Sequence, residues 1–142
     1  MIVFLDFDGV LHPFHRPTGT LVLVPHFERV MADFPHVDIV ISSAWREAYG
    51  LRELQSFFSR GIAKRIVDVT PVLSPMHHEY VRETEIETWL QEAGRKLESW
   101  IAIDDTEPFF SPECGNLILV DPNLGFNEKT EREVRERLVR GK

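Results

Sequence analysis

Two aspartates one residue apart, Asp6 and Asp8, follow the apolar run Ile2-Val3-Phe4-Leu5 and are themselves followed by Gly9. A buried carboxylate is costly unless it is paired or bound to a metal. A core strand that delivers two of them to its carboxyl end places them where open α/β sheets bind their ligands. A carboxylate in that position can act as a nucleophile, forming an aspartyl-phosphate, and Asp6 suits that task. Asp8, just past the strand end, can protonate a leaving oxygen and later take a proton from water. Gly9 frees the chain to turn sharply and lets a substrate approach the backbone. A second acidic pair, Asp104-Asp105, ends the apolar run Trp100-Ile101-Ala102-Ile103, and Ser42 ends Ile39-Val40-Ile41. Four acids gathered at one rim resist ionisation unless a cation neutralises them. Hard oxygen donors, with no cysteine or ordered histidine set beside them, favour Mg2+, which suits phosphate substrates.

For these residues to meet, the chain has to carry them to one edge. Its periodicity alternates between strand and helix. Ile2 to Asp8 reads as a buried strand, Val37 to Ser43 as a second, and Ile66, Val67 and Val69 as a third. Trp100 to Ile103 and Leu117 to Val120 complete a set of five. Between them lie helical stripes: Phe27, Val30, Met31 and Phe34; then Leu51, Leu54 and Phe58, which Gly61 could end as a left-handed cap. Ile86, Trp89, Leu90 and Ala93 form another stripe, with Gly94 near its end. A last helix turns Val134 and Leu138 inward. It pairs Glu128 with Arg132, Glu131 with Arg135 and Glu133 with Arg137 at i, i+4. Leu21 to Val24 is a short extended piece or the approach to a helix. This alternation predicts an α/β fold, a Rossmann-like three-layer sandwich with a five-stranded, mainly parallel sheet. Right-handed crossovers bring strand ends of the same sense to one edge, so Asp6, Ser42 and Asp104-Asp105 can converge.

The 142 residues, 43% of them hydrophobic, suit one domain spanning 1–142. A net charge of -7 argues against a broad electrostatic footprint for nucleic acid or anionic membrane, while leaving room for local phosphate contacts. One cysteine, Cys114, excludes an internal disulfide and fits a reducing compartment. The amino-terminal run lacks a basic region and is interrupted by Asp6 and Asp8, so it does not read as a signal peptide. No run is long enough to span a membrane; a cytoplasmic location is expected, with no obligate protein partner evident.

Asp6-Phe7-Asp8-Gly9-Val10 after an apolar strand resembles the first motif of the haloacid dehalogenase-like (HAD) phosphohydrolases. Ile39-Val40-Ile41-Ser42 resembles their second and Ile101-Ala102-Ile103-Asp104-Asp105 their fourth. The resemblance implies Asp6 as nucleophile and magnesium ligand, and Asp8 as general acid/base lending its backbone carbonyl to the metal. It implies Ser42 as a hydrogen-bond donor to the phosphoryl group. Asp105 would be the direct ligand of the last pair and Asp104 its supporting or water-mediated neighbour. The third motif usually supplies a lysine, sometimes an arginine. Here Arg82, at the start of the helix before Trp100, is the better candidate, because Lys96 lies toward the wrong end of that helix. Asp-Gly-Val-Leu-His-Pro, Ser42-Ser43-Ala44-Trp45-Arg46, and Arg82 before Glu85-Ile86 and Trp89-Leu90 resemble small capless members, some associated with nucleic-acid end repair. No large cap fits between the motifs, so the site is expected to be open to a phosphorylated small molecule or a nucleic-acid end.

Several residues carry two readings. Ser43 can contact phosphate or cap the next helix. Arg46 can face the substrate, and His12 and His15 sit beside the first motif where they can touch it. A zinc site built from these histidines has no further ligands at the expected spacing. Trp45 reads as packing rather than as a base-stacking platform. Asp68 and Asp121 either line the rim or serve turns. The competing functions are a non-catalytic binding module, disfavoured by the retained acids, a phosphotransferase, which no residue separates from a phosphatase, and a dehalogenase, which does not need Asp8 and Asp105.

Overall fold

The computed structural model describes residues 1–16 and 19–141. Its sheet has five strands: β1 (Ile2–Leu5), β2 (Asp38–Ile41), β3 (Ile66–Val69), β4 (Trp100–Asp104) and β5 (Leu117–Leu119). All pairings are parallel, in the order β3-β2-β1-β4-β5. The helices are α1 (Val24–Ala32), α2 (Leu51–Gln55), α3 (Arg60–Ala63), α4 (Val81–Glu92) and α5 (Glu128–Arg140).

β1 lies at the centre because every residue in it is apolar and fully buried. Its alternation divides two cores. Val3 and Leu5 join Phe27, Val30 and Met31 of α1 and Val134 and Leu138 of α5 on one face. Ile2 and Phe4 join Ile86, Trp89 and Leu90 of α4 on the other. Phe4 meets the Trp89 and Trp100 rings edge-on, with centroids 5.6 Å apart in both cases. The result is a three-layer α/β sandwich without a large cap. No helix among the described residues is long and apolar enough to cross a membrane.

Register does the positioning. Leu5 pairs with Ile41 on one side and with Ile103 on the other. The next residue on each strand is therefore level with its neighbours, and these are Asp6, Ser42 and Asp104. The Ser42 amide donates to the Leu5 carbonyl at 3.0 Å and the Asp6 amide to the Ile103 carbonyl at 3.1 Å, which continues the ladder through the row.

Local expectations needed correction in three places, the Gly61 cap, the Leu51 to Phe58 helix and the α5 ion pairs, while one open alternative was decided. Gly61 does not end a helix in the left-handed region, because it lies within α3 and is not among the positive-φ glycines. The helix expected from Leu51 to Phe58 stops at Gln55, and α3 follows it. Leu21 to Val24, read as an extended piece or the approach to a helix, is that approach: a turn leading into α1, with Leu21 itself at φ 60°. Of the three ion pairs on α5, Glu131–Arg135 forms at 3.2 Å. Arg137 donates instead to the Gly115 carbonyl, and no ion pair joins Glu128 to Arg132 among the described residues.

One arginine locks α1 to the sheet. The Arg65 guanidinium donates to the carbonyls of Met31 at 2.8 Å, Val37 at 3.1 Å and Phe34, so one fork spans the segment where α1 ends and β2 begins. Lysine keeps the charge but lacks the planar fork. Arg65→Lys is expected to lower stability by about 1–3 kcal/mol, since an ammonium cannot reproduce three hydrogen bonds to carbonyls spread along this segment. Urea denaturation checks this, and an unchanged midpoint would contradict it.

Candidate active site

Asp6, Asp104 and Asp105 each bring a carboxylate oxygen to within 4.8 Å of the others. Asp6 and Asp104 are almost fully buried, at 6% and 1% exposure. Burial pushes the Asp6 carboxyl well above its ordinary range, the Asp104 and Asp105 charges raise it further, and Arg82 opposes them. Burial likewise lifts Asp104 to about 6, against the Arg82 charge and the Thr106 amide. Asp104 Oδ1 accepts from that amide at 2.9 Å, whereas Oδ2 is buried with no hydrogen-bond partner. A buried carboxylate oxygen without a hydrogen-bond partner, among crowded acids whose donors are all hard oxygens, fits a divalent cation of the magnesium type. The Asp8 carboxylate stands outside this trio.

Gly9 explains how the trio can close. At φ 75° it takes a left-handed turn that side chains avoid, and a β-carbon there would lie 2.1 Å from Asp105 Oδ2. The turn is pinned from three sides. The Phe7 carbonyl accepts from the Val10 and Leu11 amides, Val10 accepts from Phe126 at 2.8 Å, and Leu11 accepts from Leu23 at 2.9 Å.

Arg82 lies on the first turn of α4, its side chain 11% exposed, with Nε 3.6 Å from Asp104 Oδ2. Its Nη1 donates to Glu85 Oε1 at 2.8 Å, and its guanidinium carbon lies 5.6 Å from the Phe109 ring centroid. Nε itself has no hydrogen-bond partner although it is buried, and the same holds for Ser42 Oγ. Lys96 sits at the opposite edge of the sheet, lining a cleft with Trp100 and Asn116. The structure therefore brings Arg82, and not Lys96, to the acids.

Three residues expected to touch substrate are turned elsewhere. Arg46 is committed internally: Nε donates to the Thr70 carbonyl, Nη1 to those of Ser42 and Ser43, and Nη2 to Pro71. Nη2 also meets Glu85 at 2.9 Å, and the side chain is only 2% exposed. These carbonyls belong to the chain leaving β2 and β3, so Arg46 closes that corner of the sheet instead of facing solvent. Ser43, fully buried, accepts the Trp45 amide at 3.2 Å and caps the short 3-10 helix Ala44–Glu47, which is the structural alternative for it. His12 is also fully buried, and its Nε2 lies 2.8 Å from Asp8 Oδ1 rather than in the open site. Asp68 accepts from the Trp89 indole and Asp121 from the Asn123 amide, both removed from the trio.

Two contributors had no sequence signal strong enough to find them. Glu85 is 2% exposed and joins Arg46 to Arg82, with the Leu73 amide as a third donor at 2.9 Å. Its place one turn after Arg82 was visible, but the partner Arg46, 39 positions earlier, was not. Trp45 packs against Phe7 and Phe57, as expected of a packing residue, yet its indole N–H also reaches Asp8 Oδ1 at 3.1 Å.

A family model described as the HAD domain in Swiss Army Knife RNA repair proteins matches residues 2–130. No curated protein matches the chain, and no solved structure does.

Gly9→Ala tests the close approach. It is expected to cost about 1–2 kcal/mol from the left-handed backbone alone and to displace Asp105. Calorimetric titration with Mg2+ should show binding weakened at least about tenfold, near 1.4 kcal/mol. Wild-type affinity in a folded variant would show that Asp105 needs no such clearance.

Proposed function

Because the chain belongs to the HAD domain family of Swiss Army Knife RNA repair proteins, we propose that it is a magnesium-dependent phosphatase that hydrolyses phosphoric monoesters at nucleic-acid ends. The observation that carries this reading is the pairing of an acid trio with two buried donors that have no hydrogen-bond partner, Ser42 Oγ and Arg82 Nε, the latter 3.6 Å from Asp104 Oδ2. Buried polar atoms are nearly always satisfied, so unsatisfied donors beside a cation-shaped acid cluster suit an anionic ligand. HAD-family members are generally phosphohydrolases, which agrees with that chemistry.

In this reading Asp6 attacks phosphorus in line, forming a bond from its carboxylate oxygen while the ester bond breaks. Asp8 gives its proton to the departing oxygen. It then takes a proton from the water that cleaves the aspartyl-phosphate and frees Asp6. Ser42 donates its hydroxyl hydrogen, and Arg82 its Nε hydrogen, to the non-bridging oxygens, where negative charge gathers. Mg2+ would be held by Asp6, Asp104 and Asp105, with the Asp8 carbonyl completing the protein donors, and would supply charge neutralisation for the phosphoryl group. Glu85 and Phe109 fix the Arg82 guanidinium while leaving Nε available.

The capless rim supports a bulky substrate, since nothing of domain size stands over the strand ends. With a net charge of -7, affinity for a polynucleotide has to come from local contacts and not from a basic surface. Arg16, with its side chain 41% exposed beside Asp8, is one such cation.

Phosphate release with and without Mg2+ tests the proposal. Asp6→Asn is expected to lose at least about 10³-fold in turnover while remaining folded, and full activity in that variant would falsify the nucleophile assignment. Asp8→Asn should slow turnover about 10²–10⁴-fold but keep Mg2+ affinity near wild type, because the backbone carbonyl is unchanged. A loss of metal binding as severe as in Asp105→Ala would contradict that role. For the substrate, kcat/KM on an end-phosphorylated oligonucleotide should exceed that on the free mononucleotide. Equal values would count against nucleic-acid ends. Adding an acceptor alcohol separates hydrolysis from transfer, since only a phosphotransferase would form a new ester in preference to free phosphate.

A further inference from the structure

The two oxygens of Asp8 are treated unequally. Oδ1 receives three donors: His12 Nε2 at 2.8 Å, Arg16 Nη2 at 2.8 Å and Trp45 Nε1 at 3.1 Å. No hydrogen bond reaches Oδ2 among the described residues. The direction of the His12 contact follows from the other side of its ring. The Leu21 amide donates to Nδ1 at 3.1 Å, so Nδ1 carries a lone pair and Nε2 carries the hydrogen. That amide comes from the residue with φ 60°, an unfavourable conformation for leucine, held where the loop returns to α1. The ring is fully buried and lies 5.8 Å from the Trp45 ring.

Each of the three donors comes from a different step of the chain. His12 and Asp8 also pair through their backbones in an isolated parallel bridge, so the imidazole cannot drift from the carboxylate. Trp45 is wedged among Phe7, Phe57 and Tyr49, with centroids 5.2, 5.7 and 5.6 Å away. Two of the donors are thus rigid rings set by packing. A carboxylate has two rotatable bonds, and three converging donors on one oxygen fix both.

We propose that His12 and Trp45 are positioning residues for Asp8: by holding Oδ1 they dedicate Oδ2 to the proton that passes to the leaving oxygen. This rests on the phosphatase reading above and adds to it the reason for a fully buried histidine and an indole N–H beside the first motif. Neither ring touches the reacting atoms. Arg16 supplies the exposed third donor.

Leaving groups separate this role from a merely structural one. An alkyl phosphate, such as an end-phosphorylated oligonucleotide, needs its departing oxygen protonated, whereas p-nitrophenyl phosphate leaves as a stable anion. The measurement is kcat/KM, which reports the first phosphoryl transfer, on both substrates for wild type, Trp45→Phe, His12→Ala and His12→Gln. Trp45→Phe keeps an aromatic ring and removes one donor. It is expected to lose about 10-fold on the oligonucleotide and less than about 3-fold on the aryl ester. His12→Ala should lose about 100-fold and about 3-fold respectively, with part of the loss restored in His12→Gln, whose amide can donate again. Equal losses on both substrates, or no loss in Trp45→Phe, would overturn the proposal. If His12→Ala does not fold, the Trp45→Phe ratio decides. The imidazole 15N resonances of the wild type provide a readout independent of turnover, and a hydrogen on Nδ1 instead of Nε2 would also overturn it. Wild-type protein inactive on both phosphates would sink the phosphatase reading itself, an outcome distinct from any variant-specific result, and this proposal with it.

Discussion

Parallel pairing of β1 with β2 and β4, in registers that set Leu5 between Ile41 and Ile103, is the constraint on which the site rests. Three strands cut off at the same level put Asp6, Ser42 and Asp104 side by side, and Asp105 follows directly. A shift of one residue in either pairing would send the acids to the wrong face and bury them in hydrocarbon. The apolar residues that precede them are what prevent such a shift, because each alternates between the α1/α5 core and the α4 core. Chemistry and packing are therefore set by the same ladder. Crowding follows from it: burial, and the acids themselves, push the Asp6 and Asp104 carboxyls toward their neutral forms. A bound divalent cation reverses that balance.

A second layer of charge holds this rim in shape. Arg46, Glu85 and Arg82 form a buried chain in which the carboxylate lies between two guanidiniums. Buried ion pairs contribute little net stability compared with apolar packing, yet leaving one member unpaired is costly. Their value here is geometric. Arg46 gathers the carbonyls of Ser42, Ser43, Thr70 and Pro71, so the chain leaving β2 and the chain leaving β3 share one anchor. Glu85 passes that anchorage to Arg82, whose Nε stays close to Asp104. The grip on Asp8 follows the same plan: donors that are themselves buried or wedged hold a reactive group by one atom.

Much of this was legible in residue order. Apolar runs ending in Asp6, Ser42 and Asp104 marked both the strands and their functional ends, and the β/α alternation required those ends to share an edge. Arg82 was separable from Lys96 because helix direction alone says which end of α4 faces the rim. Side-chain direction was not legible. Arg46 and His12 flank the motifs and have suitable chemistry, but each meets partners that are remote in sequence or set by loop conformation, whereas the Ser43 cap was one of two readings open from sequence. The Leu21 amide on His12 is one example, and it depends on a φ of 60° that no residue type there announces. Short helices were also misjudged, since α2 and α3 bury only Leu54 and Ile62 and leave a weak periodic signal.

What the chain determined by itself is which residues could do chemistry and at which strand ends they stand, because hydrophobic alternation and breaks in it are local properties. Tertiary structure alone decided which polar atoms are consumed by the protein and which remain available. Hydrogen-bond partners of buried groups come from wherever the fold places a donor. Ser42 Oγ, Arg82 Nε and one oxygen of Asp8 are left over only after every other strand, helix and loop has taken its share.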